Sequence, residues 1–480
     1  MCGRGLEFWL GLDCDARCRG DFVPDPDSNF EINIDSNFAL AFNFNFNFNL
    51  TSTSTSSSSS SVQPIPTIHW QEASPGAVPS TAGVPELVTH SARWLSERDA
   101  PPPAQIRVVD DSLNADLAFR LICEGTGLLW RGDFHNARHL LQALARRADR
   151  APRTQTPRKS ALAASAASAA HAAAEPADAA FQRYRQAQSL RAQRLSRLLI
   201  PLLPDHSIPL RRAPDHRLAI AQAWGEAAEG GADSQDAVIS LRELSGIVSA
   251  FEWRKNGVEV PLLGPPPNNR IHPHYGVFSP VRGEYLGLVA QAPLPAALQR
   301  QSLAFDIGTG TGVLAALLAR RGVQRVLATD IDPRALACAQ DNLQQLHCDA
   351  QVQCQLADLF PPGRAALLVC NPPWLPAQPG SALERAVYDP HSSMLLGFLD
   401  GLAAHLLPDG EGWLILSDLA EHLGLRSRHD LLQAIEAAGL VVQARHDTRP
   451  VHRRAADADD PLHAARAAEV TSLWRLRAAG

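Results

Sequence analysis

This chain of 480 residues lacks several features that mark common classes of protein. It has no run of 18 apolar residues, so we expect no membrane-spanning segment. Its eight cysteines form no CxxC pair, and the His and Cys spacings match no zinc signature, so no metal site is expected. Glu7, Asp13 and Asp15 interrupt the N-terminal apolar residues and argue against a secretory signal. Scattered cysteines without such a signal predict a cytoplasmic protein.

Excess charge of one sign is also lacking outside the N-terminus. Residues 1–60 carry 3 basic and 8 acidic residues, which accounts for −5 of the net charge of −6. The remaining 420 residues carry 41 basic and 42 acidic residues, a sum of −1. A nearly neutral body argues against a protein that coats nucleic acid electrostatically, although it leaves room for local basic patches.

The N-terminal 65 residues differ in composition from the rest of the chain. Asn and Phe alternate over residues 42–49, and a Thr/Ser tract follows at 51–61. A biased repeat without a packing partner predicts disorder for residues 1–65. A second interpretation is that this segment lies upstream of the true start, at a codon such as that of Val62, since Met394 is the only internal methionine.

The next segments predict a mainly helical N-terminal region over 66–146. Apolar residues from Phe134 recur at helical spacing, and the turn at 125–127 reads as a helix stop instead of a phosphate loop. The Ala-, Pro- and Ser-rich segment 147–177 is expected to be a linker. Residues 178–270 are predicted to form a helix followed by short strands near 248–253 and 258–263.

The helix predicted over 178–200 carries arginines without intervening acids after residue 181. This face is either solvated or a contact surface for RNA or an acidic protein. The segment 178–270 is accordingly the expected substrate-recognition region. The arginines concerned are Arg183, Arg185, Arg191, Arg194 and Arg197.

The strongest local motif is the sequence LAFDIGTGTG at 303–312. An apolar strand runs into a glycine-rich turn, and a helix follows whose free N–H groups favour an anionic ligand. The spacing does not fit the dinucleotide fingerprint, because the third glycine would fall at Val313. The pattern resembles the first motif of class I S-adenosylmethionine (SAM) methyltransferases. That resemblance assigns cofactor contacts to Asp306, Gly308, Thr309, Gly310 and Gly312.

Two further strand ends extend the predicted cofactor site. Asp330 ends a second strand, 24 residues after Asp306, where a carboxylate can accept hydrogen bonds from both ribose hydroxyls. Asp358 follows a third strand, and in the family an acid here often bonds the adenine amino group. By the same resemblance, Ile331 and Leu359 are cofactor contacts, and Phe360 is expected to pack beside the adenine.

The sequence NPPW at 371–374 ends a buried strand 65 residues after Asp306. A planar amide or exocyclic amine is a poor nucleophile because its nitrogen lone pair is delocalised. The Asn371 side-chain oxygen and the Pro372 carbonyl can accept its two N–H bonds and localise that lone pair toward a methyl donor. Pro372 and Pro373 fix the turn, and the Trp374 ring can stack on a flat target. These four residues are the predicted catalytic group, and Asn371 is also a predicted cofactor contact.

Together these motifs resemble the N-P-P-[YFW] branch of class I SAM methyltransferases over residues 271–480. Its members include glutamine N5-methyltransferases of release factors and N6-adenine or N2-guanine methyltransferases. The resemblance implies SAM as cofactor and a doubly wound, mostly parallel α/β Rossmann-like sheet of seven strands. Residues 441–445 and 470–476 are its expected final antiparallel pair. It also gives Phe278 and Glu284 as candidate cofactor or substrate contacts. Tyr388, Asp389 and His391 lie in the loop after NPPW, where a substrate would approach, and are candidate substrate contacts.

We therefore predict a SAM-dependent N-methyltransferase acting on a planar nitrogen. The acceptor is a protein glutamine amide, as in a translation factor, or a nucleobase amine of RNA or DNA. The near-neutral body favours the protein acceptor, whereas the arginine helix and Trp374 favour the nucleobase. A non-catalytic SAM-fold binding module is the alternative from another class, and the intact NPPW motif argues against it.

Overall fold

The computed structural model describes residues 66–73, 87–97, 100–150, 176–226, 235–280, 283–381, 383–451, 457–458 and 460–479. The disorder predicted for 1–65 and most of the linker predicted at 147–177 lie outside these residues. The described residues form two large β-sheets. The strands of one precede residue 256 and the strands of the other follow it, with a two-stranded sheet between them in the sequence. Among the described residues, no helix is both long and apolar enough to cross a membrane.

The N-terminal region contains a six-stranded sheet that the sequence analysis did not predict. Its spatial order is β1-β2-β6-β5-β4-β3. β3, β4 and β5 run parallel, whereas β6 is antiparallel to β5. β4 and β5 are buried along their whole length. The strands are β1 (Thr67–Ala73), β2 (Leu87–Leu95), β3 (Gln105–Val109), β4 (Thr126–Trp130), β5 (Leu198–Leu202) and β6 (Ala237–Ser240).

Five helices of the described chain pack around this sheet, and they account for the helices that the sequence predicts in this region. Asn114 caps the first helix by accepting from the Leu117 N–H, and Gly125, with φ of 92°, follows its end. The second helix buries Phe134, Ala137 and Leu140, the spacing recognised in the sequence. The helices are α1 (Ala115–Cys123), α2 (Phe134–Arg150), α3 (Ala177–Leu195), α4 (Arg217–Trp224) and α5 (Leu241–Asn256).

The strand predicted near 248–253 is wrong, because these residues lie within α5. Ser240 caps this helix by accepting from the Glu243 N–H, and Leu241, Leu244 and Ile247 are buried at helical spacing. Only a two-residue strand, β7 (Val258–Glu259), forms nearby. It pairs antiparallel with β8 (Arg270–Ile271) between the two sheets.

The C-terminal sheet confirms the predicted α/β class with seven strands. Its order is β11-β10-β9-β12-β13-β15-β14. The first five strands run parallel, and β15 is antiparallel to both neighbours, which confirms the expected closing pair. The strands are β9 (Leu303–Ile307), β10 (Arg325–Asp330), β11 (Val352–Leu356), β12 (Ala365–Cys370), β13 (Leu406–Ser417), β14 (Leu440–Thr448) and β15 (Thr471–Ala478).

Both faces of this sheet are covered, so its strands are nearly continuous apolar runs. Ala304, Leu367 and Val369 pack into one core, and Phe305, Leu368 and Cys370, which alternate with them, pack into the other. The helices are α6 (Glu284–Gln291), α7 (Ala297–Arg300), α8 (Val313–Arg320), α9 (Pro333–Gln345), α10 (Ser393–His405), α11 (Leu419–His422), α12 (Arg428–Ala437) and α13 (His463–Ala468).

Candidate active site

The predicted site elements meet at one edge of the C-terminal sheet. Parallel β9 pairs with β10 and with β12, and Ile307 lies opposite both Thr329 and Cys370. The segments that follow these three strands therefore emerge side by side, at the carboxyl ends where ligands bind open α/β sheets. They are the glycine loop 308–312, the segment 330–332 and the NPPW segment 371–374.

The glycine loop depends on backbone angles that side chains rarely adopt. Gly308, Gly310 and Gly312 have φ of 71°, 55° and 81°. A Cβ on Gly308 would collide with the side chain of Met394 at the start of α10. Gly312, which precedes α8, has no side chain to cap the helix, and the Ala315 N–H of the first turn donates to Asp306. The other N–H groups of that turn are candidate donors to an anion.

Asp306 is fully buried beneath this loop and holds its shape. Its Oδ2 accepts from the Thr309 hydroxyl at 2.6 Å and from the Ala315 N–H at 3.1 Å. Its Oδ1 is buried without a hydrogen-bond partner. Burial raises the pKa of Asp306 to about 6, and the nearby charge of Asp330 acts in the same direction.

Asp330 joins the glycine loop to the end of β10. One carboxylate oxygen accepts from the Gly310 N–H at 3.0 Å, and the other accepts from the Asp332 N–H at 2.9 Å. Its pKa is raised, chiefly by burial. The Ile331 side chain beside it is 68% exposed, an unusual position for isoleucine that offers an apolar surface to a ligand.

Asp358 and Leu359 follow the third strand, β11, and differ in that one is exposed whereas the backbone of the other is bonded to β10. Asp358 is exposed just after β11, at the same sheet edge as Asp330. Leu359 has φ of 67°, and its carbonyl accepts from the Thr329 hydroxyl at 2.6 Å, so its backbone ties β10 to β11. Phe360 stacks on His405 with centroids 4.3 Å apart. It therefore packs against α10, and its place beside an adenine stays a prediction.

Asn371 is oriented by a bond that the sequence analysis did not foresee. The Trp374 indole Nε1–H donates to its side-chain oxygen at 2.9 Å. An amide oxygen has two lone pairs, so Asn371 can accept a second hydrogen bond. Pro372 is buried and Pro373 is half-buried, while the half-buried Trp374 ring packs against both cores of the sheet.

The candidate contacts that flank the motifs differ in how much of each side chain is exposed. Phe278 is half-buried in a loop whose Val277 packs on α9, next to Asp330. Glu284 begins α6, and its charge contributes to the raised pKa of Tyr285. His391 is exposed with φ of 59°.

Tyr388 is buried, which leaves little of its surface open to a substrate, and its role as a substrate contact stays a prediction. It is 4% exposed, and the Arg185 guanidinium lies 4.2 Å from its ring centroid.

The sequence analysis named Asp389 as a candidate substrate contact but did not foresee the role that the structure gives it, which is to lie buried beside the start of α10. Its carboxylate accepts from the Ser393 hydroxyl and from the N–H groups of Met394 and Leu395. These bonds cap α10 and hold Met394 against Gly308. The sequence feature that could have indicated this cap is an acid four residues before Ser393. This spacing is hard to recognise as a cap, because an irregular turn at 390–392 separates the acid from the helix.

Among the described residues, no cluster of three or more His, Cys, Asp or Glu side chains could hold a metal ion.

The fold and the three adjoining segments resemble those of SAM-dependent methyltransferases. Comparison with known proteins agrees. Residues 291–372 match the family model described as ribosomal protein L11 methyltransferase (PrmA).

Release factor glutamine methyltransferase of Cereibacter sphaeroides is 34% identical over 149 residues, which are 28% of this chain and 51% of that protein. The tRNA1(Val) (adenine(37)-N6)-methyltransferase of Vibrio cholerae is 31% identical over 122 residues, 22% of this chain and 51% of that protein. The chain thus spans about half the length of these curated relatives, and the resemblance inferred from the motifs is confirmed.

A solved ribosomal protein L11 methylase from Lactobacillus delbrueckii subsp. bulgaricus covers 40% of this chain and 77% of its own length. The sequence identity is 19% and the TM-score is 0.27, a likeness too slight to support an argument.

Proposed function

We propose that this protein transfers a methyl group from SAM to a planar nitrogen. The observation that carries the proposal is the Asn371 amide, which is fixed by Trp374 at the end of β12 and lies beside the glycine loop. An amide that is already oriented needs little reorganisation when the acceptor binds. Methyl transfer at this site is then mainly a matter of positioning.

The cofactor would lie over the glycine loop, with its ribose at Asp330. The residues fit such a ligand, because the loop backbone allows close approach and the N–H groups of the first turn of α8, apart from that of Ala315, can donate to a carboxylate. The exposed Ile331 side chain would pack on the adenine, and Asp358 would accept from its amino group. SAM supplies an electrophilic sulfonium methyl group when it is bound.

The protein's part in the reaction is to prepare the acceptor nitrogen. The free lone pair of the Asn371 oxygen and the Pro372 carbonyl accept its two N–H bonds, which directs the nitrogen lone pair toward the methyl group. The Trp374 ring stacks against the flat acceptor, and its N–H keeps the amide oxygen at a fixed angle. The proton lost after transfer leaves through these acceptors to solvent.

A protein glutamine amide is the acceptor we favour. Residues 61–480 are nearly neutral in net charge. Several arginines of the face predicted on α3 contact other residues of the same chain. Arg185 is buried, Arg191 pairs with Asp149 at 2.6 Å, and Arg194 lies over Phe119. Such pairing removes much of the charge that RNA binding would use.

A nucleobase amine is the second candidate acceptor. Trp374 favours it, because a wide ring suits a wide target, and so does the similarity to a tRNA adenine methyltransferase. A steep fall of substrate binding with salt would support this acceptor, since phosphate contacts release counterions.

The first experiment identifies the acceptor directly. Purified protein and SAM with a radiolabelled methyl group are added to lysate of a strain lacking the gene, with Asn371→Ala as the blank. Protease-sensitive label would support the protein acceptor, and nuclease-sensitive label would support the nucleobase. Absence of label above the blank, with SAM binding intact, would instead favour a non-catalytic binding module.

Asp330→Ala is expected to weaken SAM binding by about tenfold or more, the effect of losing hydrogen bonds to a charged group. It also frees the Gly310 N–H, which loosens the glycine loop. Isothermal titration calorimetry measures the change. Asp332→Ala is a useful control, because it removes a neighbouring carboxylate whose side chain caps α9. Equal affinities for wild type and Asp330→Ala would contradict the assignment.

A further inference from the structure

The helix α3 of the N-terminal region docks beside the NPPW segment. Its Phe181 is buried in a cluster with Leu375 and Tyr388, which follow Trp374 in the chain. Arg185, one turn further along α3, is 4% exposed. A buried arginine is costly unless its charge and donors are matched, so its partners indicate what it stabilises.

Arg185 has three partners in one loop, residues 375–381 and 383–389, called here the docking loop. Its Nη2 donates to the Gln378 carbonyl at 2.6 Å, and its guanidinium lies 4.2 Å from the Tyr388 ring centroid. The Glu384 carboxylate, 3% exposed, is 4.0 Å away. The same carboxylate accepts from the Gly380 N–H at 2.8 Å. Arg185 thus contacts the docking loop through its charge, its donors and its flat face.

The docking loop closes on itself at the residue after Trp374. The Leu375 N–H donates to the Val387 carbonyl, and the Asp389 N–H donates back to the Leu375 carbonyl. One end of the loop is therefore covalently joined to Trp374. The other end is Asp389, which caps α10 and so sets the position of Met394 against Gly308. A change in the loop would reach both the acceptor side and the cofactor side of the site.

We propose that Arg185 is a positioning residue through which the N-terminal region holds the docking loop, and with it Trp374 and Asn371, in the geometry for methyl transfer. This inference rests on the proposed function. It assigns to α3 a role in organising the site, which differs from both the solvated face and the contact surface that the sequence analysis considered for its arginines.

The principal variant is Arg185→Met, which keeps the length of the side chain and removes its charge and donors. Arg191→Met is the matched control, since Arg191 lies on the same helix and pairs at the surface with Asp149. Arg185→Lys retains a cation over Tyr388 and one donor. Because Arg185→Met leaves Glu384 buried without its cation, the double variant Arg185→Met with Glu384→Gln guards against simple unfolding.

Three readouts separate positioning from stability. We expect Arg185→Met and the double variant to lower kcat/KM for the acceptor about tenfold, the size of a lost charged hydrogen bond. The Kd for SAM should change less than kcat/KM, because Asp389 keeps its own bonds to the start of α10. Amide hydrogen exchange in the docking loop should quicken about tenfold in the absence of acceptor. Arg185→Lys should recover most of the kcat/KM, and Arg191→Met should match wild type.

The outcomes also distinguish this inference from the proposed function. Wild-type kcat/KM or wild-type exchange in both Arg185→Met proteins would overturn the role of Arg185. If no acceptor is methylated by the wild type, the proposed function fails. The exchange measurement then still reports whether Arg185 holds the docking loop, because it needs no activity.

Discussion

Replacing Asn371 by alanine is expected to lower the methyl-transfer rate at least ~100-fold, the loss typical of removing one preorganised polar group. The side-chain oxygen would no longer accept an N–H of the acceptor, so the nitrogen lone pair would stay delocalised. SAM affinity should be nearly unchanged, because the glycine loop and Asp330 keep their mutual bonds. Single-turnover kinetics and calorimetry measure the two quantities separately.

Trp374→Phe provides the matched control for this prediction. It keeps an aromatic face for stacking but removes the indole N–H that donates to Asn371 at 2.9 Å. We expect a loss of about tenfold, smaller than for Asn371→Ala, because the amide remains but turns more freely. Full activity in Asn371→Ala would refute the mechanism. Full activity in Trp374→Phe would refute only the orienting role of the indole.

The C-terminal fold could be predicted because each group of site residues is close in sequence to the strand that positions it. Each site segment directly follows a buried apolar strand, as Asp330 follows Thr329 and Asn371 follows Cys370. Parallel strands then bring these ends together without further information. The bond from Trp374 to Asn371 spans only three residues, yet it depends on side-chain rotation that the sequence pattern does not specify.

Two interior strands of the N-terminal sheet escaped prediction because they are short and their burial does not alternate. β4 and β5 are five-residue runs buried on both faces, and periodicity does not distinguish such runs from helical core. The helix predicted over 178–200 is shorter in the structure, because α3 stops at Leu195 and residues 198–202, which include Pro201, form β5. Antiparallel pairing of β5 with β6 joins segments 35 or more residues apart, as in the pairing of Leu202 with Ala237.

The role of Arg185 could not be predicted for a similar reason. Within α3 it is one of several arginines, and local spacing gives no reason to separate it from Arg191. Its partner Gln378 lies 193 residues further along the chain. Only the packed structure shows that one arginine is buried against the docking loop and the other pairs at the surface.

Asp306 is expected to make the protein less stable as the pH rises from about 4 to about 7. Its pKa of about 6 in the folded chain exceeds the value near 3.9 of an unfolded aspartate, because burial disfavours the charged form. The unfolded chain therefore loses its proton first. The contribution to the free energy of unfolding is greatest below pH ~4 and falls by about 3 kcal/mol as the folded carboxyl ionises.

Asp306→Asn removes this titration while its amide oxygen can still accept from Thr309 and Ala315. Relative to this variant, the wild-type free energy of unfolding should drop by up to about 3 kcal/mol between pH 4 and pH 7, as measured by urea denaturation. The unpartnered amide N–H group that replaces Oδ1 adds a constant offset and leaves the slope unchanged. Parallel curves for wild type and Asp306→Asn would show that the buried carboxyl does not carry the proton we assign to it.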